Sequence, residues 1–179
     1  MGVTALDADT LGSRSTALGY AALTAQNFTT ATTTYNVAVG FQAGAAVTTG
    51  IQNTIVGGIA ADAMTTGANN TFIGYAAAGA GVVTGSQNTS VGGASLSSLT
   101  SGASNVCMGW DAGDSITSGD KNICIGQNAN NASGTGDHAI VIGHDISGSS
   151  NDFSFGKSSN IVSNDLTPTL TGQDRLMSG

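Results

Sequence analysis

Charge, proline, sulfur and histidine are all scarce in this chain. Only 8% of its 179 residues are charged, four of them basic and eleven acidic, for a net charge of −7. The basic residues, Arg14, Lys121, Lys157 and Arg175, are too few and too scattered to follow a nucleic-acid backbone, which needs clustered cations. No run of about 18 apolar residues occurs, so no membrane insertion is expected. The N-terminus lacks a basic stretch followed by an apolar one, so export on a signal peptide is not expected either. Only two histidines, His138 and His144, and no Cys-x-x-Cys are present, so neither a metal centre nor a cofactor is expected. Large apolar residues are too sparse for a thick globular core. The low charge and the many β-branched residues equally exclude the composition of a disordered chain.

What the chain has instead is 27 glycines, abundant Thr, Ser, Asn and Gln, and a repeat. The word asparagine, two residues, an apolar residue, then glycine recurs as Asn36–Gly40, Asn53–Gly57, Asn70–Gly74, Asn88–Gly92, Asn105–Gly109 and Asn122–Gly126. Ser15–Gly19 and Ala139–Gly143 extend it with serine and alanine at the asparagine position, and Gly2 falls in step. Successive glycines are separated by 17, 21, 17, 17, 18, 17, 17 and 17 residues. A small residue follows three positions after each glycine, as in Ala43, Ala60, Ala77, Ser95 and Ala112. A second glycine, usually after Thr or Ser, precedes the asparagine by three, as in Gly50, Gly67, Gly85, Gly102 and Gly119.

A fixed period sets the architecture before any single residue is interpreted. The β-branched interior of the word predicts a short strand, and Thr-Gly predicts a turn in which glycine supplies a positive φ. The expected fold is therefore all-β: a parallel β-solenoid or β-roll of about eight to nine coils with ~17-residue repeats. Residues 1–146 would form the roll and 147–179 an irregular C-terminal tail or junction, including the lone Pro168. Asn36, Asn53, Asn70, Asn88, Asn105 and Asn122 are expected to form a hydrogen-bonded ladder. The column Leu18, Val39, Val56, Ile73, Val91, Met108, Ile125 and Ile142 is expected to form an inner apolar ridge. A core this thin predicts oligomerisation, and a homotrimer is expected.

The word Asn-x-x-apolar-Gly-x-x-Ala resembles the head repeat of trimeric autotransporter adhesins, a left-handed parallel β-roll trimer. The longer form, such as Asn70-Thr-Phe-Ile-Gly-Tyr-Ala-Ala-Ala-Gly79, is similar to repeats of bacteriophage tail fibres. The resemblance covers residues 2–146 and is specific for architecture rather than ligand. It implies a structural and adhesive fibre segment of a virion, the shaft or head of a tail fibre. Its partners would be further copies of itself, neighbouring fibre or virion subunits, and a cell-surface glycan or protein. The alternatives are a bacterial surface adhesin or self-assembling extracellular filament, and an ice-binding solenoid using Thr48/Thr49 and Thr65/Thr66. Because Gly2 already occupies the glycine position, the chain starts within a repeat and is expected to belong to a longer or capped fibre.

Candidate sites are sought where the repeat is decorated or broken. The residue after each glycine carries a ring in Tyr20, Phe41, Tyr75 and Trp110. This stripe either stacks on sugars or packs each ring over the small residue of the next coil, and packing is the favoured reading. The longest interval adds residues near Asn27–Tyr35, so Phe28 and Tyr35 join the possible receptor contacts, although insertions are also tolerated as plain surface loops. Cys107 and Cys124 occupy equivalent positions and are read as stacked small apolar residues rather than a disulfide. Asp111, Asp114, Asp120 and Asp137 fall in turns and are read as solvated, since no calcium-loop signature accompanies them. No Gly-x-Ser-x-Gly elbow and no paired carboxylates appear, so no enzymatic activity is expected.

Overall fold

A carboxamide buried without partners costs about 2–7 kcal/mol, so a chain that repeats asparagine must either expose it or bond it. Here all six are buried and bonded. The computed structural model describes residues 2–165 and has no helix among them. It is a parallel β-solenoid of about nine turns. Its strands are β1 (Gly12–Ser13), β2 (Thr16–Leu18), β3 (Thr32–Thr33), β4 (Val37–Val39), β5 (Thr54–Val56), β6 (Thr71–Ile73) and β7 (Thr89–Val91). Then come β8 (Val106–Met108), β9 (Ile123–Ile125), β10 (Asn130–Asn131), β11 (Ile140–His144), β12 (Ser147–Gly148), β13 (Asp152–Lys157) and β14 (Asn160–Asp165). One ten-stranded sheet runs β14-β13-β11-β9-β8-β7-β6-β5-β4-β2, and β1-β3 and β10-β12 make two small pairs.

The asparagine sets the phase of each coil. Its Nδ2 crosses the coil interior and donates to the carbonyl of the second glycine: Asn53 to Gly67 at 2.9 Å, Asn88 to Gly102 at 2.9 Å and Asn122 to Gly136 at 2.8 Å. Its Oδ1 accepts the backbone N–H of the next asparagine, as Asn36 does from Asn53 at 2.9 Å and Asn70 from Asn88 at 2.9 Å. The ladder is closed at both ends by side chains from elsewhere. Gln26 accepts from Asn36 Nδ2 at 2.8 Å and donates to Asp9. Asn131 Nδ2 donates to Asn122 Oδ1 at 2.9 Å, beside the N–H of Ala139. Gln26, seven residues after Gly19 where other coils carry Val47 or Met64, thus stands in for an asparagine that Ser15 cannot supply.

With asparagine inside, strand alternation decides every neighbour. The middle residue of each three-residue strand points inward: Ala38, Ile55, Phe72, Ser90, Cys107, Cys124 and Val141 are all buried. Leu18, Val39, Val56, Ile73, Val91, Met108, Ile125 and Ile142 therefore point outward, half-buried or exposed. The inner apolar ridge expected from that column is one position away from the real one. Interior volumes are matched coil by coil. Gly44 leaves room for the Ile55 and Leu23 side chains, and Gly113 for Cys107 and Leu96. The one serine among the middle residues of the repeating strands, Ser90, faces the one serine of the alanine column, Ser95, and their hydroxyls bond at 2.6 Å.

The two glycines of the repeat have different reasons. Gly57 has φ +142°, and a Cβ there would strike the carbonyl of Gly74 in the next coil; the equivalents share this. The Thr-Gly glycine has no positive φ, contrary to the turn expected there. It is required because the next coil's carbonyl, as Gly67 for Gly50, occupies the place of a side chain. Positive φ falls instead on the residue before each asparagine (Gln52, Asn69, Gln87) and on pairs such as Ile59 and Ala61. Such a φ is costly for a residue with a Cβ, and for Ile59 most of all. The amides bond both ways along the stack: Ile59 N–H to Phe41 O at 2.7 Å and Ala61 N–H to Ala77 O at 2.8 Å.

The roll does not end at residue 146. A shorter coil brings β13 into parallel register with β11, pairing Ile142 with Phe155 and Gly143 with Gly156. β14 then returns antiparallel to β13. The tail expected over 147–179 is thus regular through Asp165, because a coil shortened to thirteen residues still aligns glycine with glycine. Pro168 and Arg175 lie outside the described residues.

The ladder predicts a large penalty for breaking it internally. Asn70→Ala strands the Gly85 carbonyl and the Asn88 N–H, and should destabilise by about 2–5 kcal/mol in thermal or urea unfolding. A loss below about 0.5 kcal/mol, typical of surface positions, would contradict a bonding role.

Candidate functional site

Two features of the surface are built by the repeat. The first is the outer face of the sheet. Its outward positions, Val37 and Val39, Thr54 and Val56, Thr71 and Ile73, Thr89 and Val91, carry no charge, and the same holds through Ile140 and Ile142 to Phe153 and Phe155. Leu18, Ile73, Met108, Ile125 and Phe155 are each more than a third exposed. At about 4.8 Å per strand, eight glycine intervals extend this face over roughly 38 Å.

The second feature is the ring stripe at the corner next to that face. Tyr20, Phe41, Tyr75 and Trp110 are 51%, 54%, 64% and 55% exposed, so all four are half in solvent. The rings also pack on one another's coils. Tyr20 and Phe41 stack with centroids 5.5 Å apart and planes 12° from parallel. A Cβ on Gly58 would touch Tyr75, and one on Gly93 would run into the indole of Trp110. Each of these rings leans back over the glycine of the preceding coil rather than over the next, since the glycine lies on the N-terminal side and offers no side chain.

The other two candidate contacts are not part of this stripe. Phe28 is only 8% exposed, so it is buried and not a receptor contact. Tyr35 is exposed but sits at the opposite edge of the sheet, just before Asn36. Its hydroxyl accepts from Arg14 Nη1 at 2.6 Å, and the guanidinium lies 5.6 Å from its ring centroid.

The acidic turn residues are more engaged than solvated side chains would be. Asp120 Oδ1 accepts the N–H of Ala103 at 2.7 Å, and Asp137 Oδ1 that of Asp120 at 2.7 Å, each tying one coil to the one before it. Asp62 has one carboxylate oxygen without a partner, and burial raises its pKa. Among the described residues no group of three His, Cys, Asp or Glu side chains converges. No helix of these residues is long and apolar enough to cross a membrane.

Cys107 and Cys124 pair in register on β8 and β9, both buried as free thiols. Their mutual hydrogen bond, then burial, pushes the Cys107 thiol well above its ordinary pKa. Thiolate is the reactive form. A disulfide-exchange reagent at pH 8 should therefore leave both unmodified in the native protein and modify both after denaturation; fast labelling of the native chain would contradict the packing. Gly93→Ala should lever the indole off its coil and move Trp110 emission to longer wavelength with little change in melting temperature. Unchanged emission would show that the ring does not rest there.

In comparisons with known proteins no family model matches the chain, and no curated protein or solved structure matches it.

Proposed function

We propose that the chain is a structural and adhesive fibre segment of a virion, a phage tail-fibre shaft or head, that assembles as a homotrimer and presents a host-binding surface. The observation that carries this reading is the outer sheet face: from Leu18 to Phe155 it carries an uncharged column of Leu, Val, Ile, Met and Phe, beside Val, Thr and Ile, partly exposed in the single chain. A contiguous apolar surface of this kind marks an interaction site. The occupant is the same face on two further copies. A regular, uncharged column has no partner-specific charge to satisfy, and it can meet identical columns about an axis parallel to the solenoid. Among residues 2–151 every charged residue lies outside the strands. The resemblance of Asn-x-x-apolar-Gly-x-x-Ala to trimeric adhesin heads and tail-fibre repeats supports the same assembly.

A head-to-tail filament is the weaker alternative. β14 runs antiparallel at the C-terminal edge and removes the parallel edge that such a filament would extend. An ice-binding face is also weaker. Thr48, Thr100 and Thr117 spend their hydroxyls on carbonyls of the next coil, Thr65 O at 3.3 Å, Thr117 O at 3.0 Å and Gly134 O at 2.9 Å.

Light scattering should give three chain masses for the native protein. Ile73→Asp with Ile125→Asp, on the outer face, should give one chain mass with the β-sheet circular dichroism retained. A monomeric native protein would contradict the proposal.

A further inference from the structure

The ring stripe changes chemistry along the solenoid. In the first coils the two positions after the glycine are Tyr20-Ala21, Phe41-Gln42, Gly58-Ile59, Tyr75-Ala76 and Gly93-Ala94. In the last they become Trp110-Asp111, Gln127-Asn128 and His144-Asp145. The backbone does not change: Asp111, Asn128 and Asp145 keep the positive φ, 54°, 53° and 53°, of Ala21, Gln42, Ile59, Ala76 and Ala94. Aspartate and asparagine tolerate that φ better than alanine or isoleucine, but Trp110, Gln127 and His144 beside them have no such backbone reason. Nor does burial explain the change, since Trp110, Gln127, His144 and Asp145 are exposed.

The side chains are already held in place. Asn128 Nδ2 donates to Asp145 Oδ1 at 2.6 Å, and His144 Nδ1 lies 3.0 Å from Asp145 Oδ2. Both carboxylate oxygens of Asp145 are thus fixed by neighbours on this face. The amide oxygen of Asn128, the carboxylate of Asp111, the amide of Gln127 and Nε2 of His144 remain to meet a ligand. Beside them, the indole leans back over Gly93, away from Gln127. The next position after Trp110 is Gln127, so no further ring stacks on the indole, which is 55% exposed. Trp110, Gln127 and His144 succeed one another at about 4.8 Å per coil, so they form one step of polar side chains rising from the indole.

We infer that this step, formed by Trp110, Asp111, Gln127, Asn128, His144 and Asp145, is a binding site for a neutral saccharide unit of a glycan. The apolar C–H face of a pyranose would stack on the free indole face, and its hydroxyls would donate to Asp111 and Asn128 and accept from Gln127 and His144. Two carboxylates beside the ring disfavour an anionic ligand. The inference rests on the adhesive reading given above and specifies its ligand and its place. Three such sites on one trimer would raise apparent affinity for a dense glycan surface by roughly 10²–10⁴-fold over a single site.

Trp110 is the only tryptophan of the chain, so its fluorescence reports this site alone. The experiment is a printed array of neutral oligosaccharides probed with the native protein, followed by titration of the best binder against Trp110 emission. Binding should shift or quench that emission. Asn128→Ala and Asp145→Ala should each weaken it at least tenfold, Trp110→Ala should abolish array binding, Trp110→Tyr should retain part of it, and Tyr75→Ala should leave it unchanged. An assembled protein that binds none of the array overturns the site, as does a binder whose affinity survives Trp110→Ala. Light scattering on the same samples separates the two claims: a monomer that still binds sugar sinks the trimer and keeps the site, whereas a trimer that binds none does the reverse.

Discussion

The structure depends on one bond set, the carboxamide of the repeated asparagine. Each amide spends its nitrogen across the coil on a glycine carbonyl and its oxygen along the stack on the next asparagine's N–H. One side chain thereby closes its own coil and fixes the distance and register to the next. Because these groups are buried, the alternative to bonding is not water but an unsatisfied dipole, and that asymmetry makes the ladder strict. A solenoid with so few large apolar residues has little else to set its phase.

The remaining features follow from that phase. An inward asparagine forces the middle strand residue inward and the flanking residues outward, and that inner file packs against the alanine column and the file of Val47, Met64, Val83, Leu99 and Ile116. The close stacking puts the next coil's carbonyl where a side chain would stand, which is why two columns are glycine. The thin core leaves a second apolar column, Leu18 to Phe155, on the outer sheet face. The corner beside that face is the one place where side chains project freely from a rigid, repeating support, and there the sequence departs from its pattern, from rings to Trp110 and then to Gln127 and His144.

The period, the strand word and the all-β solenoid were legible because they are encoded by repetition, which survives local exceptions such as Ser15 and Ala139. The direction of the apolar column was also encoded, and was misread for want of one step. Once Asn70 is inside, period-two alternation places Thr71 outside, Phe72 inside and Ile73 outside. The use of Gln26 as a ladder cap and the burial of Phe28 were not legible, because both depend on contacts between coils, which have no local signature. The continuation past residue 146 was masked by a shortened coil, although the word Asp152-Phe-Ser-Phe-Gly156 was there to align. The clustering of Asp111, Asn128 and Asp145 becomes visible only when the columns are superposed in three dimensions.

Amide hydrogen exchange in the native protein tests the central claim most directly. The backbone N–H groups of Asn53, Asn70, Asn88, Asn105 and Asn122, each bonded to the preceding asparagine's side chain, should exchange slowest of all and at one common rate set by global unfolding. If they exchange as fast as the unbonded amides of the exposed turns, such as Thr49, Thr66 and Ser101, the ladder does not hold the coils together and the account fails.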